Sequence, residues 1–284
     1  MRSLLATTVA VLALALPALA QDRPAAAPGA TPGAVPGAEA MAAHRAAYHL
    51  SFDRARDNSD VARAEGLMLF EVLDACDGWA SRQRLTLRLL DRDGQAVETA
   101  SDYATWESKD GRRLRFSMTQ ATGGAVSNRI VGEAEIGPDG RGVARYESPA
   151  GRTETLPPGT LLPTLHTIRA IEAARAGRRI LTAPLMDGTS EDGAQDSTTV
   201  LSPWQTAPVP DARFPMLANQ ESGRMRIAFF GRDSQSSGGG AAAPEYEVGL
   251  RYYANGVADE LNMDFGEFSV NGRLVTLEPV PGGC

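Results

Sequence analysis

The chain has 284 residues, 43% of them hydrophobic, with a formal net charge of −7 and two cysteines. That length and apolar content support a core that needs no dense disulfide framework. The acidic balance argues against nucleic acid and anionic lipid headgroups as main partners.

Residues 1–20 read as a cleavable signal peptide. Arg2 is a short positive segment, Leu4 to Leu16 an apolar run, and Ala18-Leu19-Ala20 a small-x-small cleavage site. The run is shorter than the ~20 residues that span a bilayer. The expected product is a periplasmic chain that starts at Gln21 and does not span the membrane. Residues 21–42 are mostly Ala, Pro and Gly and read as a disordered spacer without a binding role. Residues 43–284 are expected to form a single domain.

From Tyr48 the pattern has period two. Tyr48, Leu50 and Phe52, then Leu85, Leu87 and Leu89, then Leu114, Phe116 and Met118 alternate with polar residues. Such alternation marks strands with one buried and one wet face. Asp93-Gly94, Asp110-Gly111, Asp139-Gly140, Asn255-Gly256 and Asn271-Gly272 are hairpin signals. They predict one meander over 82–119 and another over 245–277. After Pro157-Pro158-Gly159, Leu162, Leu165, Ile168 and Ile171 recur every third residue. This predicts an amphipathic helix over Pro163 to Ala176, with Pro163 early and Gly177 at its end. Asp187 to Asp196 and Ser234 to Pro244 read as loops. The fold class is mainly β. Roughly a dozen strands in one large antiparallel sheet must curl to protect their edges, giving a half-barrel or open barrel with the helix at an edge or plugging one end. A two-sheet sandwich is the rival.

Few residues carry chemistry. Cys76 and Cys284 are expected to pair in an oxidising compartment. A redox site and free thiols are the alternatives. His44, His49 and His166 have no metal-ligand spacing, so no metal or cofactor is expected. Nucleophile and phosphate-loop motifs are absent. Glu191-Asp192 and Asp259-Glu260 could serve glycoside hydrolysis only if they faced each other across a cleft. Trp79, Trp106 and Trp204 fit core packing with satisfied indole N–H groups; lining an apolar cleft is the functional alternative. The candidate cleft or helix-lid residues are Leu162, Leu165, His166, Ile168 and Trp106.

Three stretches carry a resemblance. They are Cys76-Asp77-Gly78-Trp79, Thr105-Trp106-Glu107-Ser108-Lys109-Asp110-Gly111-Arg112-Arg113-Leu114-Arg115-Phe116 and Leu156-Pro157-Pro158-Gly159-Thr160-Leu161-Leu162-Pro163-Thr164-Leu165-His166. With Asn255-Gly256-Val257 and the terminal Cys284, the chain resembles the EipB-type cell-envelope integrity proteins of alphaproteobacteria. The resemblance implies an open, spiral-like β-barrel with one or two packed helices, similar in shape to periplasmic lipoprotein carriers. It also implies a Cys76–Cys284 bond and no enzymatic activity. The expected function is non-catalytic support of the envelope. The expected partner is a lipid, a lipoprotein, or a periplasmic or outer-membrane protein, held on a concave β surface. The alternative is a cell-wall or glycan hydrolase using loop carboxylates.

Overall fold

The computed structural model describes residues 35–207, 213–232 and 243–281. The signal peptide, residues 21–34 of the spacer, residues 234–242 of the Gly/Ala-rich loop and Cys284 lie outside the described residues.

The described residues form fourteen strands. They are β1 (His44–Ala55), β2 (Val61–Asp74), β3 (Gly78–Asp91), β4 (Ala96–Ser108), β5 (Arg113–Thr122), β6 (Ala125–Ile136), β7 (Gly142–Ser148), β8 (Thr153–Leu156), β9 (Ile180–Leu185), β10 (Gln195–Leu201), β11 (Ser222–Phe230), β12 (Tyr246–Tyr253), β13 (Ala258–Asp264) and β14 (Phe268–Pro279). All pair antiparallel in one sheet that runs from β8 back to β1, then from β14 back to β9. The first and last strands are therefore neighbours, with His44 opposite Pro279 and Leu50 opposite Gly272. The sheet curls but does not close. Its edges are β8 and β9, and the chain between them forms α1 (Pro163–Arg175). Leu161 bridges this seam by pairing with Leu185.

Most hairpins fall where the Asx-Gly pairs place them. Asn271-Gly272 does not: it lies inside β14. The turn before β14 uses Gly266 at φ 88, with its N–H donated to Asp264 Oδ1 at 2.9 Å. Gly272 is needed for closeness instead, because a Cβ there would sit 3.0 Å from both Leu261 and Leu50 side chains. Residues 35–42 also depart from the spacer reading. They form a 3-10 turn at Ala38–Ala40, Ala38 is buried, and Val35 donates its N–H to Lys109 O at 3.0 Å.

Two cores hold the curl. The larger joins the inner faces of β1, β2 and β10–β14 to Ala170, Ile171, Ala173 and Ala174 of α1. The helix is thus buried on most sides rather than laid on a surface, and its alanines let the strands approach closely. It crosses the end where β4 and β10 finish and β11 begins. Glu107 meets its start, and Arg175 pairs with Glu221 at 3.1 Å near its finish. The smaller core gathers Leu114, Phe116, Met118, Ile130 and Tyr146 under Leu162, Met186 and Ala194. Here the loop after β9 folds onto the concave face. Tyr146 donates its O–H to Ser190 O at 2.9 Å and accepts the Gly193 N–H at 3.0 Å.

Gly188 allows that fold. Its φ is 79, and a Cβ there would fall 2.3 Å from Phe116 Cγ. Gly188→Ala should destabilise the protein by about 2–4 kcal/mol, from overpacking added to left-handed strain. Gly94→Ala, at φ 80 with nothing within 4 Å, should cost only about 1 kcal/mol. Urea midpoints for the two variants check this, and equal losses would refute the packing argument.

Candidate functional site

The helix-plugged end is built around Glu107. Alternation along β4 turns Thr105 and Glu107 inward and Trp106 outward. Pro163 opens the helix without an N–H, so the free backbone donors begin at Thr164. The carboxylate of Glu107 accepts the Thr164 N–H at 2.6 Å and the Leu165 N–H at 2.9 Å. A strand residue thus caps the helix that lacks a side-chain cap of its own. Burial pushes the Glu107 carboxyl up to about 7, with the two backbone N–H groups pulling the other way.

Leu162, Leu165, His166 and Ile168 come together around this cap. Leu162 is fully buried in the smaller core. Leu165 lies against Gly111 and Ile168 against Gly37, where glycines give the room. His166 is buried, its Nε2 is 3.4 Å from Thr199 Oγ1 of β10, and desolvation lowers its pKa to about 4. It is a neutral core histidine at pH 7. Trp106 is elsewhere, on the outer face, with the Arg113 and Arg115 guanidiniums 5.7 and 5.8 Å from its ring.

Cys76 sits in the turn between β2 and β3 at φ 67, a left-handed conformation uncommon outside glycine. Asp74 Oδ1 accepts the Cys76 N–H at 3.0 Å. Lys109, the sole lysine, binds the Asp74 carboxylate at 2.6 Å, lies 4.8 Å from the Trp79 ring centre and donates its backbone N–H to Asp77 O. Trp79 is core, as its type suggests, but its buried Nε1 has no hydrogen-bond partner among the described residues.

At the opposite end from α1, aromatic rings line up across strand termini. Phe229, Tyr246, Phe265 and Phe268 stand in a row at centroid spacings of 5.7, 5.4 and 5.2 Å. Tyr246, Phe265 and Phe268 pack against the larger core, with Phe52, Leu85 and Leu89, while staying partly exposed. Partly exposed rings at the end of a curled sheet can hold an apolar ligand or segment. Phe265 and Phe268, flanking Gly266-Glu267, were the available sequence signal for this strip, which periodicity alone does not pick out.

The EipB-like family model matches residues 36–281. The chain belongs to the EipB-like family. It is similar to the cell envelope integrity protein EipB of Brucella abortus, at 31% identity over 234 residues and 81% of each chain. It is also similar to a crystal structure of a β-barrel-like protein from Brucella abortus that carries a domain of unknown function. That match has a TM-score of 0.76 and 27% identity, and covers 85% of this chain and 99% of the other.

In this EipB-like chain the loop acids are tied to arginines. Glu191 and Asp192 both contact Arg152, which also holds Glu154 at 3.0 Å. Asp259 is buried, contacts Arg213 at 3.0 Å and accepts the Leu274 N–H at 3.0 Å. Glu260 contacts Arg224 at 2.6 Å and Arg251 at 3.0 Å. Among the described residues no group of three or more His, Cys, Asp or Glu side chains could hold a metal ion, and no helix is long and apolar enough to cross a membrane.

Proposed function

We propose that this EipB-like protein is exported to the periplasm and supports envelope integrity without catalysis, by holding an apolar partner at the aromatic end of its curled sheet. The partner is a lipid, or the hydrophobic segment of a lipoprotein or envelope protein. One observation carries the reading: Tyr246, Phe265 and Phe268 stay partly exposed at one end, whereas α1 fills the other. The name of the Brucella relative supports the envelope role. The signal-peptide pattern supports export. Carboxylates neutralised by arginines do not favour the hydrolase reading. A Cys76–Cys284 bond belongs to the same proposal, supported by Cys76 not being a free thiol among the described residues and by there being only two cysteines in the sequence.

The test is a pull-down from detergent-solubilised envelope extract. Purified protein should co-migrate with a lipid or lipoprotein identified by mass spectrometry, and a Phe265→Ser, Phe268→Ser variant should lose it. Recovery of nothing, or equal recovery by the variant, would remove the proposal.

A further inference from the structure

The outer face of the sheet carries a trough of about 690 Å³, away from the aromatic end. It crosses β14, β1, β2, β3, β4 and β5 in register, at Thr276, Ala47, Leu69, Arg84, Asp102 and Thr119. At about 4.8 Å per strand spacing, it runs about 24 Å. The part from β3 to β14 spans three of these spacings, about 14 Å, room for an acyl chain laid across the strands, and the volume suits a small-molecule site.

Its two sides differ. Ala47 and Ala104 keep the floor low. Leu69, 50% exposed, lies in the trough; Leu67 at 52% and Val275 at 41% adjoin it. A single exposed leucine needs no explanation, but three large apolar side chains around one alanine form a patch. The charges along the trough are mostly cancelled. Arg45 is held by Glu71 at 2.5 Å and Arg84 by Asp102 at 2.7 Å. Arg82 and Glu278 also line the trough and form no ion pair among the described residues; Arg82 stands on β3 opposite Glu71, and Glu278 on β14 opposite Arg45. Two strands from Arg82, on β5 and outside the trough, Arg113 and Arg115 turn to Trp106, although Glu135 and Glu133 stand opposite them in register. The outer face therefore passes from an apolar patch to one guanidinium without an ion pair, three strands from the trough's one unpaired acid, Glu278, in a chain whose net charge is −7. Overall charge cannot draw an anion here, so recognition has to be local.

We propose that this trough binds a single-chain anionic amphiphile, a lysophospholipid with a phosphate head. The phosphate meets Arg82, whose guanidinium suits it. The acyl chain lies over Leu69 and Ala47 toward Leu67 and Val275. The site is separate from the aromatic end and does not rest on it.

The purified chain is titrated with oleoyl-lysophosphatidic acid below its micelle concentration, with neutral lysophosphatidylcholine and with inorganic phosphate, followed by calorimetry. The anionic lipid should bind at least tenfold tighter than the neutral one, and phosphate alone should not register. Arg82→Glu should weaken the anionic lipid at least tenfold and leave the neutral one unchanged. Leu69→Glu should weaken both. Both side chains are exposed, so the variants should keep the wild-type circular dichroism spectrum. Phe265→Ser, Phe268→Ser should bind as wild type. Wild-type affinity in Leu69→Glu and Arg82→Glu, equal affinity for the two lipids, or loss only in the phenylalanine variant would each overturn the assignment.

Discussion

Replacing Glu107 with alanine should destabilise the protein by about 2–4 kcal/mol. The change strips one buried and one partly buried backbone N–H group of their acceptor at the start of α1, and a buried orphan costs about 1–3 kcal/mol. Glutamine is the informative partner variant, because it keeps the shape and removes the titration. The Glu107 carboxyl is raised from 4.5 to about 7, so the folded state binds its proton more tightly than the unfolded state does. Its contribution is therefore complete below pH 4.5 and is lost as pH rises through about 7. At roughly 1.4 kcal/mol per pH unit, the loss is about 3 kcal/mol. His166 works against it. Its pKa is lowered to about 4, so its contribution is present above 6.5 and fades as pH falls toward 4. The wild-type curve alone thus mixes the two. The difference between wild type and Glu107→Gln, from urea unfolding at pH 4.5 to 8, isolates the glutamate. A flat difference curve would show that the carboxylate does not titrate there.

Breaking the proposed Cys76–Cys284 bond should lower stability by about 3–5 kcal/mol, the range for a bond that closes a loop of this length. The two positions are 208 residues apart in sequence. Reductant should therefore lower the unfolding midpoint of the wild type. Cys76→Ser, Cys284→Ser should start at that lower midpoint and ignore the reductant. A wild-type midpoint indifferent to reductant would rule out the bond. The local setting is prepared for a fixed tether: Asp74 and Lys109 hold the Cys76 turn on both sides.

The sheet was legible because its strands announce themselves singly. Leu114, Phe116 and Met118 are buried while Arg113, Arg115 and Ser117 are exposed, which is the alternation their side chains show in one dimension. The pair Asn271-Gly272 misleads because a glycine serves two purposes, turning a chain or letting another strand come close. The local sequence does not distinguish them. Glu107 was not legible as a cap, since its partners lie 57 and 58 residues downstream and its own neighbours look like a plain surface strand. The burial of α1 was hidden for a related reason: Ala170, Ala173 and Ala174 are neutral in any pattern, and only the surrounding strands reveal them as core. The aromatic strip is spread over strand ends from Phe229 to Phe268, of which only Phe265 and Phe268 share one short window, and the outer trough joins β14 to β1–β5, so neither is visible in a local pattern.

The adjacency of β1 and β14 also sets a clock. Tyr48 sends its hydroxyl to Ala258 O, 210 residues on, and the whole of β1 pairs with residues that arrive last. Hairpins from β2 to β8 can form as they emerge, but the first strand stays half-paired until the final one is delivered. Contacts of such sequence separation slow folding, so the chain stays unfinished, and threadable, until its tail is made.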